Sequence, residues 1–388
     1  MEPEIFGYCD NRFKPVFDAF RQNFSERGEI GACVCVEIEG KTVVDIWAGH
    51  VDAAKSRPWR ENTLVNAWSV GKAVAALTLL HLLEARRISV SEKISAYWPE
   101  FSQAGKEDIT FEIVMSHRAG LCGVETPLPD DAYYNWNAMT RAIAIQKPWW
   151  QPGTNHGYHT NTFGYLMGEP VRRISGSPIR DYLTTTVANS LKSDFHFGVP
   201  LARVRDCADL IHMDRPETAP ASPIADNFAE SDDPMSQMRY FIQNNPSMKN
   251  FNFNSEQWRR AEFPSTSPQS NARASARIFS ELAQIAHNKN DGIISRALLK
   301  QATAIISDGE DLNIGRPTRF GLGFQLSQPD RPLGPNPDTF GHYGNGGHLA
   351  FADPSVPLGF AYHMNHQGFS WRDPRNIALT DAVYESLE

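Results

Sequence analysis

The sequence predicts an α+β fold, with an antiparallel sheet built from N- and C-terminal segments, flanked by helices, and a mostly helical region inserted between them. Three observations predict it. Strand-like runs rich in β-branched and apolar residues occur at both ends of the chain, at 31–49 and again from 319 onward. Between them the patterning is helical and punctuated by Pro, Gly and Asn. Strands do not alternate with helices, as a parallel sheet of βαβ units would require. No self-similarity at the periods of solenoids or propellers is present.

Taken in order, residues 12–27 read as an amphipathic helix, with Phe13, Val16, Phe17, Phe20 and Phe24 near helical spacing and Gly28 at the stop. GACVCVEIEG and TVVDIWAG follow as two strands, and Glu39-Gly40-Lys41 between them suits a tight hairpin turn. SVGKAVAALTLLHLLEA, from Ser69 to Ala85, favours helix and is apolar on nearly every side, the mark of a helix buried between other elements. Further helices are expected over Asp108–Ser116, Asn161–Ile174 and Ala272–His287, and a last one after Asp373. Strands return as RFGLGFQLS from Arg319, GHLAFADP from Gly347 and LGFAYHMN from Leu358.

These limits divide the chain into a discontinuous α/β unit of residues 1–75 and 290–388 and a mainly helical unit of residues 76–289. Residues 214–270 are rich in Pro, Ser, Asn and Asp, the composition of a long loop or lid, or of a linker between domains.

Composition narrows the function classes. The 388 residues suffice for a large core and a deep cleft. With 45 acidic against 37 basic residues, scattered without a basic stripe, nucleic acid is a poor partner. No stretch reaches the roughly 18–20 apolar residues of a membrane helix, and MEPEIFGYCD is acidic where a signal peptide is basic then apolar, so a cytoplasmic protein without membrane partners is expected. Cys9, Cys33, Cys35, Cys122 and Cys207 lack paired CxxC spacing and read as reduced structural thiols. There is no HExxH, and His363-Met364-Asn365-His366 has no obvious further ligands, so neither a metal nor any other cofactor is expected.

Three clusters carry chemistry. Ser69-Val70-Gly71-Lys72 opens the apolar helix, where positions i and i+3 share a face, so hydroxyl and amine meet. Desolvation lowers a lysine pKa and supplies a neutral amine as base, and the free N–H groups of a helix start suit an oxyanion. Ala67-Trp68-Ser69-Val70-Gly71 also approximates the GxSxG elbow of α/β-hydrolases, but few parallel β-α units precede it. The second cluster runs from Trp149 to Asn161, a loop dense in Gly and aromatics, where Tyr158 can act as proton acceptor if cationic neighbours depress its pKa. The third, Gly341-His342-Tyr343-Gly344-Asn345-Gly346-Gly347-His348, lets a backbone approach a ligand closely, and an edge strand there can offer a second oxyanion N–H.

In this order the clusters resemble the serine hydrolases of the class C β-lactamase and penicillin-binding-protein superfamily, most closely the family VIII carboxylesterases. The resemblance spans roughly residues 10–385 and includes SHRAGL at 116–121, PGTNHGYHTNTFGYLMGE at 152–169 and FADP at 351–354. It implies a β-lactamase-like fold. Ser69 matches the family nucleophile, Lys72 its partner in SxxK, and Tyr158 the tyrosine of a YxN-like motif. His342-Tyr343-Gly344 stands where β-lactamases carry Lys-Thr-Gly, and Thr160 replaces the Asn of YxN.

The resemblance therefore implies esterase more than β-lactamase chemistry, on a small-molecule ester of short acyl chain. Ser69 attacks, Tyr158 and Lys72 manage the proton, and the N–H groups of Ser69 and Asn345 hold the oxyanion. His342, Gly344, Gly346 and Thr160 border the substrate, and Trp149 and Trp150, with Phe251 to Phe263, wall an apolar pocket. β-Lactamase, D-amino-acid amidase or peptidase, and acyltransferase activities share such an acyl-enzyme, and a non-catalytic ligand sensor is a further alternative.

Overall fold

The computed structural model describes residues 3–213, 232–288 and 290–388. Its main sheet contains β1 (Ile5–Cys9), β2 (Gly31–Ile38), β3 (Lys41–Gly49), β4 (Ser307–Asp311), β5 (Arg316–Phe320), β6 (Gln325–Leu326), β7 (Phe340–Tyr343), β8 (Leu349–Asp353) and β9 (Leu358–Met364). Their spatial order is β1-β3-β2-β9-β8-β7-β6-β5-β4, with every neighbouring pair antiparallel. The two ends of the chain meet in its middle, where β2 pairs with β9 in a register that sets Cys35 opposite Ala361. In the β2–β3 turn Glu39 and Gly40 take φ of 50° and 72°, the two left-handed residues of a type I′ hairpin.

Side-chain alternation sends β2 two ways. Ala32, Val34 and Val36 join Ile46, Phe351, Phe360 and Tyr362 beneath helix α1 (Lys14–Glu26) and the last helix, which supply Val16, Phe20, Leu379 and Val383. Cys33, Cys35, Ala350, Ala352 and Ala361 face the opposite layer. That face is built of small residues for a reason. A Cβ on Gly359 would lie 2.4 Å from Ala276 O, so helix Ala272–Asn288 packs almost onto the strand backbone. This helix lies against β9, β2 and β8, inside the 76–289 range of the expected helical unit.

Label α2 is given to Val70–Ala85, which is buried on nearly all sides and packs against α3 (Phe163–Ser175) and β7. Apolar residues on nearly every face leave it little solvent side beyond His81, Glu84 and Ala85, as the sequence predicts. Label α4 is given to Ala272–Asn288 and α5 to Pro374–Glu385, whose N-cap Asp373 accepts from Arg375 N.

The structure departs from expectation at several strands. RFGLGFQLS is not one strand: β5 ends at Phe320, and β6 resumes at Gln325 after a turn in which Gly323 has φ of 79°. A Cβ there would sit 2.2 Å from Ala76 Cβ, so the glycine lets the turn rest on α2. The segment Ser307–Asp311 is a strand although SDGED lacks β-branched and aromatic residues. β7 is an interior strand, yet its neighbour β6 pairs only with Phe340 and Gly341, which leaves the edge open from His342 onward.

Residues 214–231 of the expected loop or lid lie outside the described residues. Beyond them the chain forms helices Pro234–Asn244 and Glu256–Arg260, then a stretch buried from Phe263 to Asn271. Its polar content is absorbed by hydrogen bonds across the segment before α2: Ala67 N to Pro268 O (2.8 Å) and Asn66 Nδ2 to Thr266 O (3.0 Å). Among the described residues no helix is long and apolar enough to cross a membrane.

Candidate active site

Trp68 has φ of 51°, a left-handed conformation that a bulky aromatic residue adopts only under constraint. It swings the chain so that Ser69, at the N-cap of α2, is partly exposed while its neighbours are buried. Gly71 in the next turn is required by close approach, since a Cβ would stand 2.2 Å from Pro264 O.

Lys72 follows one turn on and is fully buried. Its Nζ lies 3.0 Å from Ser69 Oγ and donates to Ser265 O, also at 3.0 Å. Burial alone pushes the amine well below its ordinary pKa, toward the neutral form that can accept a proton. The same Nζ sits 4.8 Å from the centre of the Tyr158 ring.

Tyr158 is held rigidly from behind. Its N–H donates to both Asp311 oxygens (3.0 and 3.1 Å), and its carbonyl accepts from Asn313 Nδ2 (2.6 Å). Asp311 also accepts from Asn313 N, Ile314 N and Thr318 Oγ1, so one buried carboxylate fastens the Tyr158 loop to the β4–β5 turn. Rings of His117, Phe320 and Trp371 enclose the phenol at 5.1, 5.9 and 5.5 Å. The phenol is raised far above its ordinary pKa, first by burial and then by Asp311, while the nearby Ser69 hydroxyl opposes the rise. Among the described residues no group completes a hydrogen bond of good geometry to its O–H. No cation holds the Tyr158 phenol down: burial dominates and raises it, so the group rests as O–H beside the desolvated Lys72 amine.

The glycine-rich turn closes the other side. Gly344 approaches so closely that its Cβ would meet Ala67 O at 2.6 Å and Trp68 Cβ at 3.4 Å, which packs the turn against the two residues before Ser69. The backbone N–H groups of Ser69 and Asn345 have no protein acceptor among the described residues. Gly346 and Gly347 have φ of 79° and 107°, open only to glycine without strain. From α5, Asn376 Nδ2 donates to Gly347 O at 2.8 Å, which fixes the turn from beneath. His342 Nδ1 donates to Tyr343 O at 2.6 Å, so its buried Nε2 is an acceptor without a partner. Burial and the adjacent Lys72 push this imidazole down to about 3, and it is neutral at pH 7.

Thr160 Oγ1 accepts from Asn313 Nδ2 at 3.1 Å and serves the Tyr158 loop. Trp150 is not brought to Ser69. It lies buried beneath Gly157 and donates to Arg118 O at 3.2 Å, a support for the loop and not a pocket wall. Phe253 does pack near the site, 5.6 Å from the Trp68 ring. A surface cavity of 930 Å³, lined by Arg57, Arg60 and Arg205 among others, touches none of these residues. Asp311, Asn313, Ser265 and Asn376 were not singled out in the sequence, and neither was Gln367. Gln367 is buried against Gly346 with both amide atoms unpartnered. No local spacing marks any of the five.

A hydroxyl next to a desolvated amine, two free N–H groups and an enclosed phenol together define a serine-hydrolase type of site on an antiparallel α+β fold. The chain belongs to the β-lactamase family, whose profile matches residues 17–385. A solved family VIII carboxylesterase is 33% identical, with a TM-score of 0.88 over 99% of this chain and 100% of that one. A penicillin-binding protein homolog from Caulobacter crescentus is 35% identical, with a TM-score of 0.88 over the same shares. Esterase/beta-lactamase LipL of Mycobacterium tuberculosis is 28% identical over 372 residues, 93% of this chain and 83% of that protein. The all-antiparallel main sheet also removes the α/β-hydrolase alternative, which needs a mostly parallel one.

Proposed function

We propose that the protein hydrolyses carboxylic esters through an acyl-enzyme on Ser69. The observation that carries this reading is the 3.0 Å contact between Ser69 Oγ and the desolvated amine of Lys72. Lys72 takes the Ser69 proton as Oγ bonds to the ester carbonyl carbon, and the negative charge on the carbonyl oxygen is received by the N–H groups of Ser69 and Asn345. When the tetrahedral intermediate collapses, the C–O bond to the alcohol breaks, and the proton passes from Lys72 through Tyr158 to the departing oxygen. Water then attacks the acyl carbon, gives its proton to Lys72, and releases the acid as Ser69 is restored.

Two features favour esters over lactams. His342 is neutral, and so supplies no cation beside Ser69 for a lactam carboxylate, and Thr160 is turned into the loop. A carboxylesterase and an esterase/β-lactamase among the similar proteins support the ester-hydrolysis reading. The test is intact-mass analysis after a fluorophosphonate, together with kcat/KM for 4-nitrophenyl butyrate and nitrocefin. An adduct on the wild type that is missing from Ser69→Ala, with butyrate favoured, supports the reading. Adduct formation by Ser69→Ala removes the nucleophile assignment, and faster nitrocefin turnover replaces the esterase with a β-lactamase.

A further inference from the structure

Several partly or fully buried arginines in this chain meet carboxylates. Arg57, Arg172, Arg173, Arg203, Arg259, Arg273 and Arg375 each do so within 3.2 Å. Three others do not: Arg316, which packs on Trp371, Arg372, the next residue in sequence, and Arg331, whose charge acts on Arg316 and on Tyr343. Arg316 lays its guanidinium over the Trp371 ring at 5.1 Å, and its Nη1 is buried without a hydrogen-bond partner. Arg331 is close enough to repel it, and the two effects, burial first, push Arg316 down to about 10. Arg372, next in sequence to Trp371, has a buried Nε with no partner and acts with Arg331 on the Tyr343 phenol.

No ion pair neutralises these three among the described residues. Asp311, the carboxylate that attracts Arg316, is already saturated by the Tyr158 loop. Asp381 and Glu385 line a 430 Å³ cavity that Arg372 shares, but neither pairs with it. Three like charges gathered in a chain of formal charge −8, one of them partly desolvated, are stable only at a cost that a bound anion removes. The cluster is one ring away from the chemistry, because Trp371 packs edge-on against Tyr158 at 5.5 Å.

We propose that Arg316, Arg331 and Arg372 form a subsite for an anionic group, a carboxylate set several bonds from the ester that Ser69 attacks, so that the substrates are half-esters of long dicarboxylic acids or esters of acidic alcohols. This rests on the ester-hydrolysis reading. Arg316 Nη1, unpartnered among the described residues beside the Trp371 ring, leaves a charged N–H donor for a carboxylate. His342, being neutral, cannot anchor the same group next to Ser69.

Two pairs of esters of equal length separate the acid side from the alcohol side: the mono-4-nitrophenyl ester of suberic acid against its methyl 4-nitrophenyl diester, and 4-carboxyphenyl butyrate against its methyl ester. The expected result is a kcat/KM preference of about 10-fold or more for the anionic member of at least one pair, weakened by added salt. Arg316→Gln and Arg372→Gln bring that ratio toward one, and Arg316→Lys restores part of it. Neutral members preferred in both pairs would overturn the proposal, as would variants that slow both members equally. Calorimetric titration of Ser69→Ala with monomethyl suberate adds a readout independent of turnover, with binding about 10-fold weaker once Arg316→Gln is added. If no ester is turned over, the hydrolase reading falls, while the titration still decides the subsite.

Discussion

Gly344→Ala isolates the role of the turn after β7. The residue has φ of −109° and ψ of 159°, which alanine adopts freely, so the substitution adds no backbone strain. What it adds is a methyl group 2.6 Å from Ala67 O and 2.7 Å from His348 Cβ. Ordinary contact begins near 3.4 Å, so the turn must retreat from Ser69 by about 0.8 Å. An oxyanion donor works over about 2.7–3.1 Å, and a retreat of that size takes Asn345 N–H out of range. The expected loss is about 10²-fold to 10³-fold in kcat on 4-nitrophenyl butyrate with KM little changed, because the donor acts on charge that develops in the transition state. Stability should fall by about 1–3 kcal/mol, which urea unfolding measures independently. A folded variant with wild-type kcat would show that Asn345 N–H does not serve the carbonyl oxygen.

Further predictions concern the proton path and its mounting. Lys72→Met and Tyr158→Phe should each lower kcat by about 10²-fold or more, with the double variant little worse than the worse single, and additive losses would separate their roles. The active amine is neutral and its pKa lies below the ordinary lysine value, so kcat/KM should fall as pH drops through it and stay level above; a rate that rises toward acid would exclude Lys72 as base. Asp311→Ala strands the Tyr158, Asn313 and Ile314 N–H donors and should destabilise by about 3–5 kcal/mol in urea, whereas an unchanged midpoint would mean the loop is held by other contacts.

What could be read from the sequence was what the chain encodes over a few residues. The three-residue spacing of Ser69 and Lys72 brings them together on any helix, and α2, apolar on nearly every side, announced its own burial. Tyr158 and the turn at 344–347 were legible only as an ordered set of motifs. Asp311 was not, because its partner Tyr158 lies 153 positions away and SDGED resembles a surface loop. Trp150 misled for a related reason: an aromatic beside a site tyrosine can line a pocket or underpin a loop, and the choice is made by Gly157, whose missing side chain admits the indole from below.

The pairing of β2 with β9 has a consequence for how the protein comes into being. Residues 31–38 leave the ribosome early and must wait for 358–364 before the sheet that carries both cores can close. During that interval the β2–β3 hairpin exposes an unpaired, mostly apolar edge, the state most open to association with other nascent chains. Such distant contacts also slow folding itself. The turn beside Ser69 depends on the same late residues, since Asn376 of α5 holds Gly347. The turn beside Ser69 is therefore not secured until α5 has been made, so a product of synthesis interrupted before α5 carries Ser69 and Lys72 without that support.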